Sequence, residues 1–240
     1  MLRNILFQCL NIDLYLLKTL IMKKFLAVAF AATLFTACNA PEADKAETAD
    51  QQIETTAEGT PYAVDNSSTA TWTGTKPGGS HEGTFPISEG SILVKDNNVT
   101  GGTFTINIAG IKNKDLASDP DNQAKLEGHL KSSEFFDVEK YPTAKFIITN
   151  VEPFVADSAN VSLTEGATHK LTGNLTLRDK TKSVSFPAKV TVGANSTTAV
   201  ADFNIDRTEW EMNYKGPNNP QDWMISKTVN IKINLSSTKK

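Results

Sequence analysis

Period-two alternation of apolar and polar residues governs this sequence from Tyr62 onwards. Phe104, Ile106 and Ile108 alternate with Thr103, Thr105 and Asn107, and Leu171, Gly173, Leu175 and Leu177 alternate with polar neighbours. Val184, Phe186, Ala188, Val190 and Val192 repeat the pattern. Ala199, Ala201, Phe203 and Ile205 share one face of the next stretch, and Val229, Ile231, Ile233 and Leu235 share one face of the last. Successive side chains of a strand point to opposite sides, so each stretch predicts a strand with one buried and one wetted face. Shorter strands are expected at residues 62–64, 71–75, 83–94 and 145–151. Turn-forming residues separate the stretches, at Asp96-Asn97-Asn98, Arg178-Asp179-Lys180, Gly193-Ala194-Asn195 and residues 216–220. One segment departs from the pattern. Asp119 as a cap, Pro120 at the first helical position, and Leu126 and Leu130 four apart predict a short helix ending near Lys131. No helix alternates with strands, which excludes a parallel α/β fold. Residues 61–240 therefore read as one all-β domain of about eight antiparallel strands with one short helix insertion, a closed up-and-down barrel in preference to a sandwich.

The N-terminus reads as an address. Met22-Lys23-Lys24 is a basic start, residues 25–32 are apolar, and Thr36-Ala37 precede Cys38. This is the build of a secretory signal peptide, with an apolar run too short to span a bilayer. Small residues before a cysteine resemble the lipobox of bacterial lipoproteins, although Phe35 stands where Leu is commoner. Cleavage before Cys38 and lipidation of Cys38 are expected, because a multiply acylated residue gives a durable membrane anchor. Residues 1–21 have no separate role in this reading and are taken as an upstream extension, with Met22 as the start. Residues 38–60 carry six acids against one base, whereas 61–240 carry 20 acids against 19 bases. An acidic stretch of small residues without an apolar face predicts a flexible, self-repelling tether.

Composition excludes several functions. The chain holds 24 basic and 27 acidic residues with no basic cluster, so it is no polybasic nucleic-acid binder. Its two cysteines, Cys9 and Cys38, both precede the domain, which leaves no thiol nucleophile, disulfide or Cys-ligated metal inside it. The three histidines, His81, His129 and His169, lack metal-ligand spacing, and neither a nucleophile elbow nor a phosphate-cradling glycine loop occurs. No catalytic residue, metal or cofactor is expected. His81 and His129 read first as structural hydrogen-bonders. Arg207, after Asp206 and before Trp210, reads first as half of a salt bridge and second as a cation for an anionic head group. An eight-stranded barrel either fills with side chains or encloses one small ligand, and alternation by itself favours the filled core.

Several segments together resemble the YceI-like family of lipid-binding proteins: Trp72-Thr73-Gly74, His81-Glu82-Gly83, residues 126–132 (LEGHLKS), 135–142 (FFDVEKYP) and 171–177 (LTGNLTL), then Thr181-Lys182-Ser183-Val184 and Asp206-Arg207-Thr208-Glu209-Trp210. Glu211 departs from a family that often has Gly there. The resemblance implies an extended lipocalin-like barrel whose apolar tunnel binds a polyisoprenoid chain, such as a quinone tail or a polyprenyl lipid. The tunnel-lining residues it then implies are inward members of the alternating sets: Phe104, Ile106, Ile108, Phe146, Ile148, Leu175, Leu177, Phe186, Val190, Phe203 and Ile233. Phe135 and Phe136 are expected to close one end, with His81, His129 and Arg207 as polar candidates at the mouth. The implied partners are an isoprenoid lipid as ligand and the membrane through Cys38, with no nucleic acid; a homodimer is compatible. The implied location is the envelope of a Gram-negative bacterium, on its periplasmic side or its surface. Two rival classes stay open: a solid barrel that contacts a protein partner through the loop around Trp223, and an enzyme acting on a held lipid through His81, His129 or Arg207.

Overall fold

The structure, a computed structural model, describes residues 45–157, 161–215 and 225–240. Cys38 and Trp223 lie outside the described residues. The alternating stretches form β1 (Glu47–Asp50), β2 (Thr60–Val64), β3 (Thr69–Lys76), β4 (Gly79–Lys95), β5 (Asn98–Asn107), β6 (Lys112–Asn113), β7 (Thr143–Pro153), β8 (His169–Leu177), β9 (Lys180–Val192), β10 (Ser196–Asp206) and β11 (Thr228–Lys239). Strands β2 and β3 occupy one position between β11 and β4, interrupted by a bulge at residues 65–68. Ser68 ties that bulge down: its hydroxyl donates to the Ser236 carbonyl and accepts the Ser236 N–H, both at 3.0 Å. From there β4, β5, β7, β8, β9, β10 and β11 pair in turn and meet β2/β3 again. The described residues form a closed eight-stranded antiparallel barrel, as the alternation predicts, with one α-helix.

Long β4 changes parity midway. Phe85 and Ile87 face inwards, then Ile92 does, because a bulge between Ile87 and Glu89 shifts the register with β5. Gly90 makes this possible: at φ +152° it brings the backbone so close to β5 that a Cβ would lie 2.4 Å from the Thr103 carbonyl oxygen. Helix α1 (Pro120–Lys131) starts as expected, with the Asp119 carboxylate accepting the Asn122 N–H at 3.2 Å. Its buried Glu127 accepts the Asn113 N–H at 2.9 Å and so fastens the helix to β6. A 3₁₀ turn (Arg207–Trp210) follows β10. Asp206 caps it, and the fully buried Trp210 donates Nε1–H to the Leu175 carbonyl at 3.1 Å.

The expected free tether is overturned from Lys45 onwards. Strands β9 and β10 pair only between Ala188/Ala201 and Val192/Thr197, then splay. Splayed strands expose backbone donors and acceptors that need partners. Strand β1 supplies them, pairing Glu47 to Asp50 with Ser185 to Lys182, while the Ala46 N–H donates to the Asn204 carbonyl at 2.8 Å. The chain then straps across the outer wall. Asn174 holds Gln52 by two 2.9 Å bonds, accepting its N–H and donating to its carbonyl. Ala57 covers Gly101, and Glu58 pairs with Lys95 at 2.9 Å. The acids that suggested self-repulsion find lysines instead: Glu47 meets Lys170 and Asp50 meets Lys182. Compactness accordingly begins well before residue 60, in a unit spanning Ala43–Lys240.

Candidate functional site

The inward faces of the strands do not meet at the barrel axis. They enclose a cavity of about 560 Å³, which is within the size range of small-molecule sites. The reading of alternation as a filled core is therefore corrected. Every apolar residue expected on the lining, Phe104, Ile106, Ile108, Phe146, Ile148, Leu175, Leu177, Phe186, Val190, Phe203 and Ile233, lies on this wall, as do Phe135 and Phe136. Aromatic rings form much of it: Phe186 stacks on Phe203 at 4.0 Å between centroids, and Phe146 stands 5.9 Å from Phe186 and 6.4 Å from Phe104. The wall also includes Trp72, Phe85, Ile87, Ile92, Ile111, Met212 and Tyr214. Phe85, Ile87 and Ile92 escaped the sequence reading because the β4 bulge breaks their period. Met212 and Tyr214 escaped it because they come from a loop, where periodicity carries no signal.

The two ends of the cavity differ. At the end of the β4–β5 and β9–β10 turns, Tyr62 and Val94 are buried beyond the cavity, and the Tyr62 hydroxyl donates to the Ala194 carbonyl at 3.2 Å. Thr197 and Ser237, paired across β10 and β11, are fully buried beside them. This end is closed. At the other end the β3–β4 hairpin, helix α1 and residues 207–215 contribute the polar lining: Thr75, Lys76, His81, His129, Arg207, Tyr214 and Lys215.

Each polar candidate at this mouth has a definable state. The Asp115 carboxylate accepts His81 at Nδ1 (2.8 Å), the Glu82 N–H (2.8 Å) and the Asn113 amide (2.6 Å). Burial pushes its pKa up, but these donors and the His81 charge outweigh it and hold the group at about 2. An ionised acceptor assigns the Nδ1 proton to His81. His129 bonds Glu134 through Nε2 at 2.7 Å and stands edge-on to Phe135 and Tyr214. Arg207 differs from both sequence expectations. Among the described residues it forms no contact ion pair, and backbone carbonyls take up its donors. Nε reaches Ser226 at 3.0 Å, one terminal nitrogen reaches Met212, and the other reaches Tyr214 at 2.9 Å and Ile225 at 3.1 Å. Burial lowers its pKa, opposed by Asp206. It clamps both flanks of the loop after the 3₁₀ turn. Among the described residues, no three His, Cys, Asp or Glu side chains gather as a metal ion would require.

A closed antiparallel barrel around an apolar cavity, polar at one end only, has the architecture of a small-ligand-binding barrel rather than of a solid core. The chain belongs to the YceI-like domain family, which it matches over residues 62–237. It is 32% identical over 108 residues to the UPF0312 protein plu2095 of Photorhabdus laumondii, covering 45% of this chain and 47% of that one. It thus spans about half the length of the curated relatives it matches. Among solved structures it resembles BcnA of Burkholderia cenocepacia, with TM-score 0.56, 21% identity, and coverage of 73% of this chain and 99% of that one. It also resembles a domain of Saccharophagus degradans described as polyisoprenoid-binding and implicated in plant cell wall breakdown. There the TM-score is 0.51 and the identity 13%, with coverage of 75% of this chain and 99% of that one. At these identities the two structures speak for the fold.

Proposed function

We propose that this protein binds the hydrocarbon chain of an isoprenoid lipid, a quinone tail or polyprenyl chain, inside the barrel, and carries or sequesters it at the cell envelope. The continuous apolar cavity, closed at one end and polar at the other, carries this reading. A tail would enter first and leave its head at the mouth. Each isoprene unit buries roughly 100 Å² of apolar surface, about 2.5 kcal/mol of transfer free energy, so a few units outweigh the cost of immobilising the chain. The polyisoprenoid-binding description of the Saccharophagus domain supports the choice of lipid. The basic, apolar, Thr36-Ala37-Cys38 order of the N-terminus supports anchoring through lipid on Cys38. The Thr168 hydroxyl meets His169 Nδ1 at 2.8 Å, but neither residue lines the cavity, so this pair adds no chemistry to the site.

Native mass spectrometry of the unit from Ala43 onwards, purified from a bacterial host without detergent, tests the binding. The expected result is a second species, heavier by an isoprenoid mass, that reverts to bare protein on denaturation. Bare protein that also refuses added prenylated quinones and polyprenols would contradict it and favour a partner-binding barrel. For the anchor, Cys38→Ala is expected to move the full-length protein from the membrane to the soluble fraction.

A further inference from the structure

The charge on the cavity wall has one sign. Lys76, His81, His129, Arg207 and Lys215 are its basic members, and no Asp or Glu stands among the described residues that line it. All five belong to the mouth. The chain as a whole has the opposite balance, with 24 basic and 27 acidic residues. The acids that touch these bases lie off the wall. Asp115 holds His81 at 2.8 Å and Glu134 holds His129 at 2.7 Å, and neither acid lines the cavity. Arg207 gives its donors to backbone carbonyls. The two lysines are different, being mobile ammonium groups on long stems at the rim.

Backbone bonds bring these lysines to one side of the opening. The Ile225 N–H donates to the Lys215 carbonyl at 3.0 Å, and the adjacent Ser226 N–H donates to the Thr75 carbonyl at 2.9 Å. Lys215 and Lys76 therefore flank one two-residue bridge, a separation that two four-carbon stems can close around a single head group. The Lys215 ammonium lies 5.6 Å from the centre of the Tyr214 ring, which stands edge-on to His129 at 4.7 Å, so it sits beside the lining. Lys76 pairs with Gly79 across the β3–β4 hairpin, as Gly74 does with His81. Lys76 is thus the diagonal neighbour of His81 on one face. A Cβ on Gly74 or Gly79 would meet nothing within 4 Å, so the space around the Lys76 stem is open. No hydrogen bond or ion pair with a described residue engages the Lys76 ammonium.

We propose that the mouth is a site for an anionic head group, so that the barrel takes an apolar chain ending in a phosphate or a carboxylate. The ammonium groups of Lys76 and Lys215 bind its oxygens while the chain lies in the cavity. A monophosphate suits the pair best, because three acceptor oxygens and nearly two charges let it meet both lysines at once. The apolar wall below the head keeps water from one side and strengthens the attraction over that at an open surface. An alcohol or a quinone brings only neutral oxygens and gains little from the lysines. This inference rests on the lipid-binding reading and narrows it from an apolar chain to one with an anionic end.

Farnesol, farnesoic acid and farnesyl monophosphate share one tail and differ in the head, and they supply the test. Each is titrated into delipidated protein from Ala43 onwards at neutral pH and low salt. The monophosphate is expected to bind about tenfold more tightly than the alcohol, with the carboxylate between them. Raising salt to about 0.5 M should remove most of that advantage while the alcohol still binds. Lys76→Gln and Lys215→Gln should each lower the ratio about threefold. Lys145→Gln, an exposed position on β7 that does not line the cavity, should leave it unchanged. A carboxylate as tight as the monophosphate would support the anion site with one charge sufficing. Equal affinity for alcohol and monophosphate in the unaltered protein would overturn the anion site and leave lipid binding intact. A ratio that survives both mouth substitutions, or falls as far in Lys145→Gln, would overturn it too. Failure of all three ligands to bind would overturn the lipid reading together with it.

Discussion

The closed end and the mouth of this barrel are built by different chemistry. At the closed end, the β4–β5 and β9–β10 turns are short, and Tyr62, Val94, Thr197 and Ser237 fill the space beyond the cavity. Ladder bonds and close packing hold it, and both are insensitive to the identity of any one polar group. At the mouth the chain leaves the barrel twice, through residues 108–142 and again after Asp206, and directional polar contacts organise these excursions. Glu127 fastens helix α1, Asp115 fastens His81, and Arg207 gathers carbonyls from Met212, Tyr214, Ile225 and Ser226. A rigid floor and an adjustable rim suit a site that admits a long apolar chain from one side.

Substitutions separate the two ends by size and kind of effect. Tyr62→Ala removes a buried ring from the closed end, and chemical denaturation should show a loss of about 3–4 kcal/mol. The loss should be global, lowering protection of amides in all strands alike. Arg207→Leu should cost less, about 2–3 kcal/mol, and should act locally. Hydrogen exchange is expected to accelerate at residues 212–214 and 225–226 while the closed end keeps its protection. If Arg207→Leu lowered protection as evenly as Tyr62→Ala, the mouth would be no softer than the floor.

Smaller effects sharpen the same contrast. Asn174→Ala removes both bonds to Gln52 on the outer wall and should cost about 1–2 kcal/mol. Protease cleavage within residues 45–58 is the readout, with the barrel itself resistant. At the mouth, Glu211 sits at φ +58° and ψ +23°, a left-handed conformation that disfavours a side chain. Glu211→Gly should raise stability by about 0.5–1 kcal/mol, less the small contribution of the exposed Lys180 pair at 2.7 Å. A thermal shift in the opposite direction would show that the ion pair matters more than the backbone.

The parts of this molecule written in a local period could be read from sequence. Regular strands carry their facing in alternate residues, so the inward placement of Phe146, Leu175 and Phe203 needs only the period. Whether those faces meet is a different matter. It depends on barrel closure and strand tilt, global quantities that no single strand encodes, so alternation pointed to a filled core where a cavity stands. Residues 45–58 were misread for a related reason. Strand β1 has no apolar face because it serves as a ladder partner for splayed β9 and β10, and that need arises only once the sheet has formed. Arg207 could not be placed because its partners are carbonyls, which every sequence position supplies equally. The departure at Glu211 was visible, and its left-handed backbone is a conformation that glycine adopts without strain.

The most direct test is methyl-labelled NMR of the unit from Ala43 onwards during titration with a prenyl lipid. Methyl groups of Ile106, Ile148 and Ile233 on the cavity wall should shift together and saturate at one equivalent, while those of Ile147 and Val200 on the outer faces stay in place. Shifts confined to the outer set, or none in the inner set while lipid demonstrably binds, would contradict a ligand site inside the barrel.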